Sequence, residues 1–156
     1  MENTIKTEKA ELVDAWNILN LQKLAFRSEA DLYNDYSIDP LTQTVDSIKA
    51  EFGKKIFLKA AVGSEIIGSV RFYLDNGICH INRLMVHPDF QNRGIGKRLI
   101  SEAEKYFPEA RIFELFTASR SEKNLGLYKK LGYETFKIEV VKDDMHFVYM
   151  RKTKSA

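Results

Sequence analysis

Only one cysteine, Cys79, occurs among the 156 residues, so no disulfide can form within the chain. That fits a reducing compartment. The three prolines and eight glycines are scattered, and no linker, low-complexity tract or internal repeat marks a boundary. One domain over residues 1–156 is therefore expected. An excess of one charge sign is also missing. With 24 Lys and Arg against 22 Asp and Glu, the formal charge is +2, which gives no electrostatic case for a nucleic-acid or membrane partner. No long apolar run occurs, and the opening residues Met1-Glu2-Asn3-Thr4-Ile5-Lys6 have no apolar signal core. A cytoplasmic location is the expectation. His80, His87 and His146 lie far apart without metal-ligand spacing, so no metal is expected.

Hydrophobic residues make up 44% of the chain, enough for a substantial core. Their spacing gives the elements. A short strand is expected around Thr4 to Thr7. Leu12, Ala15, Trp16, Leu19, Ala25 and Phe26 recur at helical intervals and predict one amphipathic helix from about Ala10 to Arg27. Glu29 to Thr44 mixes acids with Tyr33, Tyr36 and Pro40 and shows no clear period; a short helix follows from Val45 to Phe52. The period then falls to two. Strands are predicted over Lys55 to Val62, Ile66 to Leu74 and Ile78 to Val86, the last two joined by Asp75-Asn76-Gly77. Asn-Gly suits a tight hairpin because both residues tolerate positive φ. A helix to about Phe107, a strand over Arg111 to Thr117 and a helix over Glu122 to Leu131 come next. Two last strands, near Glu134 to Val141 and Met145 to Lys152, are joined across Lys142-Asp143-Asp144. The order implies an α/β fold: a mixed, mostly antiparallel central sheet of about six to seven strands, flanked by helices on both faces.

The sharpest chemical signal is Gln91-Asn92-Arg93-Gly94-Ile95-Gly96-Lys97, between a strand and a helix. Gly94 and Gly96 let a ligand approach the backbone. The first helical turn leaves N–H groups without partners and favours an anion. A Walker A loop would need Gly at 91 and Ser or Thr at 98, where Gln91 and Arg98 stand. A dinucleotide fingerprint starting at Gly94 would need a small residue at Leu99. By itself, a Gly-x-Gly is more often a turn before a helix than a ligand site.

The wider run, from Arg83-Leu84-Met85-Val86-His87-Pro88 through Gln91 to Ile100, resembles the acetyl-CoA-binding motif of the GCN5-related N-acetyltransferase family. Its Gln/Arg-x-x-Gly-x-Gly/Ala core is matched by Gln91, Gly94 and Gly96. Asn124-Leu125-Gly126-Leu127-Tyr128, followed by Leu131-Gly132-Tyr133, resembles that family's second signature. The resemblance implies acetyl-CoA as cofactor and transfer of its acetyl group to a primary amine by direct attack in a ternary complex. It implies that the backbone around Leu84, Met85 and Val86 pairs with the pantetheine arm. The amides of Gln91, Asn92, Arg93, Gly94, Ile95, Gly96 and Lys97 would hold the pyrophosphate, and Asn124 would contact the pantetheine or the neighbouring strand. Tyr128 would face the cofactor sulfur as general acid; a phenol of pKa about 10 suits that task. Asn124 and Tyr128 are four apart and so share one helix face.

Some members of that family carry a glutamate where this chain has His80. A neutral imidazole can accept an ammonium proton, which makes His80 a candidate base, although an ordinary strand histidine fits the position equally well. Asn82, on the same face by alternation, could orient a water, and Glu114 on the next strand is a second candidate base. Cys79 adjoins His80 in sequence, but alternation sends the two to opposite faces. The resemblance places the acceptor between the N-terminal helices and the last strands. That points to Glu29, Asp31, Asp35 and Asp39, to Tyr33 and Tyr36, and to the chain near Met145, unless Glu29 to Thr44 is merely a solvated loop. The acceptor class, small molecule or protein, stays open. Members of the family often form homodimers, and no segment here marks an interface. A non-catalytic acyl-CoA-binding regulatory module is the alternative reading.

Overall fold

A computed structural model describes residues 4–142 and 144–154. Asp143, in the connection between the last two strands, lies outside the described residues. The sheet has seven strands: β1 (Ile5–Lys9), β2 (Ile56–Val62), β3 (Glu65–Asp75), β4 (Ile78–Val86), β5 (Ile112–Ala118), β6 (Glu134–Lys142) and β7 (Met145–Thr153). Their spatial order is β1-β2-β3-β4-β5-β7-β6. Every neighbouring pair is antiparallel except β4 with β5. The β3–β4 turn has φ 52° at Asn76 and 79° at Gly77, the two positive values that its Asn-Gly sequence anticipates.

β4 and β5 stay together only briefly. Ile78, Cys79 and His80 pair with Ile112, Phe113 and Glu114, and no later residues of the two strands pair. Beyond that point β4 carries a bulge. Arg71 of β3 faces Asn82 and Ser69 faces Met85, so β4 takes three steps where β3 takes two. The bulged segment includes Arg83 at φ 54°, a left-handed conformation that costs a non-glycine residue free energy. The bulge breaks alternation. Ile81 packs with the core beneath α5 (Ile95–Tyr106), whereas Met85, four residues on, packs with the core on the opposite face.

Helices cover both faces. On one, Ile95, Leu99, Ile100 and Ala103 of α5, with Tyr128 of α6 (Glu122–Lys130), pack on Leu58, Val70, Phe72 and Ile81. On the other lie α1 (Ala15–Ala25), α2 (Arg27–Tyr33), α3 (Asp39–Thr42) and α4 (Val45–Phe52). The single helix expected from Ala10 to Arg27 is a 3-10 turn at Leu12–Asp14 followed by α1, and the unreadable stretch after it holds α2 and α3. α1 buries Ala15, Ile18, Leu19 and Gln22, a spacing of i, i+3, i+4, i+7. Trp16 sits one step round from that stripe and is 57% exposed, so it is not part of the core the sequence suggested.

Arg71 fastens these helices to the sheet. It is 1% exposed and donates to Gln22 Oε1 of α1 and, at 3.3 Å, to Gln43 Oε1 after α3. Its Nη1 lies 3.5 Å from Glu51 Oε2 of α4, and the guanidinium covers the Phe57 ring. Burial lowers its pKa to about 10, against the opposing pull of Glu51, so it stays cationic at neutral pH. Burial raises Glu51, but the charges and donors of Arg71, Lys55 and Gln43 outweigh it and hold the carboxylate below its ordinary value. Removing one member of such a group strands the others. Arg71→Ala is therefore expected to cost about 3 kcal/mol of unfolding free energy. A urea titration checks this; a loss below about 1 kcal/mol would mean that water replaces the guanidinium freely.

Candidate active site

The loop from Gln91 to Lys97 forms an anion cradle. Asn92 and Gly94 take positive φ, 64° and 78°, and Gly94 is the left-handed N-cap of α5. No side chain caps this helix, so the first-turn N–H groups of a 12-residue helix face outward without a competing acceptor. Lys123 of α6 braces the loop with a 2.7 Å bond to Gln91 Oε1. The cradle opens on a cavity of about 700 Å³ bounded by β4, α5, α6 and the end of α1. Leu84, Met85, Val86, Gln91, Asn92, Gly94, Ile95, Gly96, Lys97 and Asn124 all line it. Arg93 does not; its guanidinium stacks 5.0 Å from the Phe90 ring centroid.

A second cavity, of about 510 Å³, occupies the gap where β4 and β5 part. Ile81 to Leu84 form one wall and Phe116 to Ala118 the other, with Asp35, Ser37, Asp39 and Pro40 and with Val141, Lys142, Met145 and Phe147 around the rim. Phe26, Glu29, Leu84 and Asn124 border both cavities. Tyr128 lines the second from below and is 4% exposed. Its phenol is pushed well above the ordinary value by burial, with the charge of Glu29 adding to the effect, so it stays protonated. Neither the Tyr128 hydroxyl nor the Glu29 carboxylate has a hydrogen-bond or ion-pair partner among the described residues. Burial raises the Glu29 carboxyl against the weaker pull of Arg83. A junction of two cavities thus holds a carboxyl poised toward neutrality beside a neutral phenol.

The acetyltransferase (GNAT) domain profile matches residues 30–154. The chain belongs to the GNAT acetyltransferase family. An acetyltransferase of Pectobacterium atrosepticum is 39% identical over 82 residues, covering 51% of this chain and 58% of that protein. The match therefore spans less than two thirds of that relative. The PaiA N-acetyltransferase of Thermoplasma acidophilum, solved with coenzyme A, superposes with a TM-score of 0.81 at 19% identity, over 97% of this chain and 99% of its own. The yncA protein of Salmonella typhimurium, solved with its cofactor acetyl-CoA, gives 0.73 at 18% identity, over 97% and 94%. At such identities the likeness is one of fold, and it bears out the GNAT sheet and helix arrangement. No helix among the described residues is long and apolar enough to cross a membrane.

Within this GNAT domain the sequence candidates separate into two groups. Asn124, Tyr128 and Asn82 come together at the cavities, Asn82 accepting a 3.1 Å bond from Lys55. The others stand elsewhere. His80 lines neither cavity and stacks on Tyr73 at 4.8 Å. Glu114 accepts two bonds from Arg151, at 2.6 and 2.9 Å. Asp31 accepts from the Tyr36 hydroxyl on the surface, and Tyr33 receives the Arg120 N–H at 2.9 Å. Cys79 is buried, and burial pushes its thiol up to about 12. In sequence, Glu29 is only one acid among several in an aperiodic stretch, and Arg83 looks like any polar residue of a strand. Neither carries a motif of its own.

Glu29 also makes a signed prediction. Its folded pKa is raised above 4.5, so the folded state binds the proton more tightly than the unfolded one. The resulting stability is fully present below 4.5 and is lost as pH rises through the folded value. Glu29→Gln cannot undergo this loss. The variant's stability relative to wild type is expected to be more favourable at pH 8 than at pH 4, read by urea denaturation at both. An equal difference at the two values would show that burial does not perturb Glu29.

Proposed function

We propose that the domain transfers an acetyl group from acetyl-CoA to a primary amine by direct attack in a ternary complex. The observation that carries this reading is the meeting of the two cavities at Glu29, Leu84 and Asn124, beside a partnerless Tyr128 hydroxyl. One cavity suits a phosphorylated donor and the other an amine, and only at their junction can the two react.

The uncapped start of α5 fits the donor's pyrophosphate, because outward N–H groups with a positive helix end complement a diphosphate. Past His80, β4 has no ladder partner on its β5 side, so the backbone from Leu84 to Val86 is free to pair with an extended amide-bearing arm. The bound donor supplies an activated thioester carbonyl. Lys97 adds charge at the cradle rim. Glu29 accepts the ammonium proton, its raised pKa bringing it closer to the working pH of a base. Tyr128 Oη, kept protonated by burial, gives a proton to the departing sulfur. Asn124, bonded at 3.4 Å to Thr117 Oγ1, positions α6 against β5. In this reading Glu29 takes the base role, and His80, stacked on Tyr73 outside both cavities, takes none.

Acetyl-CoA is expected to raise the melting temperature by several degrees, since it stabilises only the folded state. Gly94→Trp should abolish that rise, and a retained shift would move the donor away from the cradle. For chemistry, CoA release over a panel of amines is the assay. Glu29→Gln and Tyr128→Phe are each expected to lower turnover about 100-fold with donor affinity unchanged, while His80→Ala stays near wild type. A deep loss in His80→Ala with Glu29→Gln active would reverse the assignment of the base.

A further inference from the structure

The second cavity has a charge pattern that a simple amine does not explain. Its acids are Glu29, Asp35, Asp39 and Glu51, and its bases are Lys55, Arg83 and Lys142. Asp35 is bonded to Lys142 at 3.0 Å and Glu51 to Lys55 at 2.8 Å. Three charges are left over. Glu29 and Asp39 have no ion pair, and neither has Arg83, among the described residues. Glu51, Asp39 and Glu29 lie close enough to act on the Arg83 charge, yet none contacts it.

Arg83 lines the second cavity and not the first. It is half-buried, and its backbone is held at φ 54° by the β4 bulge. Next to it, Asn82 spends its amide oxygen on Lys55 and leaves its amide nitrogen without a partner. A guanidinium fork beside a free amide N–H is a receptor for a planar anion. Glu29, on the α2 side and shared with the first cavity, is where the reacting amine belongs. A cavity of about 510 Å³ takes a small molecule.

We infer that the acceptor is a zwitterion, a small amino acid whose carboxylate binds Arg83 and Asn82 while its amine lies at Glu29. This rests on the acetyl-transfer reading of the same site. A diamine would leave Arg83 desolvated beside a second cation, whereas an amino acid pairs both Arg83 and Glu29 and leaves the exposed Asp39 to solvent.

The test uses matched probes: phenylalanine with phenethylamine, leucine with isoamylamine, and lysine with cadaverine. Binding to the CoA-loaded protein is read by calorimetry, and turnover by CoA release. At least one amino acid is expected to bind about 10- to 100-fold more tightly than its decarboxylated partner, the range for one charge-assisted carboxylate contact. Arg83→Asn should bring that ratio close to one by raising KM, because asparagine tolerates the left-handed backbone and keeps the bulge. The acetyl-CoA melting shift should survive in this variant, since Arg83 lies outside the first cavity. Three outcomes overturn the inference: no amino acid outbinds its own amine, the ratio persists in Arg83→Asn, or the phosphonate analogue of leucine outbinds leucine. Failure of the acetyl-transfer reading looks different, with no acetyl-CoA melting shift and no CoA release from any probe.

Discussion

Among the described residues, three pairs, Ile78 to His80 against Ile112 to Glu114, are the only ladder between the four-strand and three-strand parts of the sheet. Everything that makes a site follows from the brevity of this pairing. Were β4 and β5 paired to their ends, the backbone between Ile81 and Val86 would be satisfied on both sides and neither cavity would exist. Because they part, a stretch of strand keeps one edge of N–H and C=O groups for another partner. The bulge at Arg83 then breaks the regular alternation of side chains along β4, and Leu84 stands on the boundary of both cavities.

The elements around the gap are held unequally. Beneath it, Arg71 binds three helical segments from within the protein, where any loss strands buried polar atoms. Above it, α2 reaches the opposite wall through Arg120, which donates to Leu32 O and pairs with Asp144, and through the Asp35–Lys142 contact. These contacts are solvent-exposed and individually weak. Hydrogen bonds from Ser37, with Lys142 beyond them, hold Asp35 down to about 2, so it stays charged near neutrality. The floor of the site is thus rigid and its acceptor-side wall is the part that costs least to displace.

Periodicity found the strands because alternation and the Asn-Gly turn are local properties, and it placed all seven. It misread the N-terminal helices. Trp16 and Leu12 fit an apolar stripe by count but are exposed, whereas Ala15 and Leu19 of the same stripe are buried together with Gln22, which meets Arg71. Gly94 was legible because a left-handed N-cap calls for glycine, a backbone need that shows in sequence. Glu29 stood there only as one acid among several and Arg83 was not singled out, because their placement depends on the parting of two strands and on a bulge. Alternation cannot foresee a bulge, and β4 carries one. His80 follows the same logic: its position along β4 was read correctly, but the cavity opens beyond it.

Gly68, in β3, has no side chain to offer the site, and its backbone pairs with Val86. A methyl group there would lie 3.1 Å from Ile95 Cγ2 and 3.2 Å from Leu99 Cδ1, tighter than ordinary packing, so those side chains would have to give by a few tenths of an ångström. Ile95 and Leu99 belong to the first turns of α5, directly after the cradle. The missing side chain of Gly68 thus lets the start of α5 lie close against β3. A strand residue here is a spacer for the helix that follows the loop, so a change in β3 would reach that loop through packing alone.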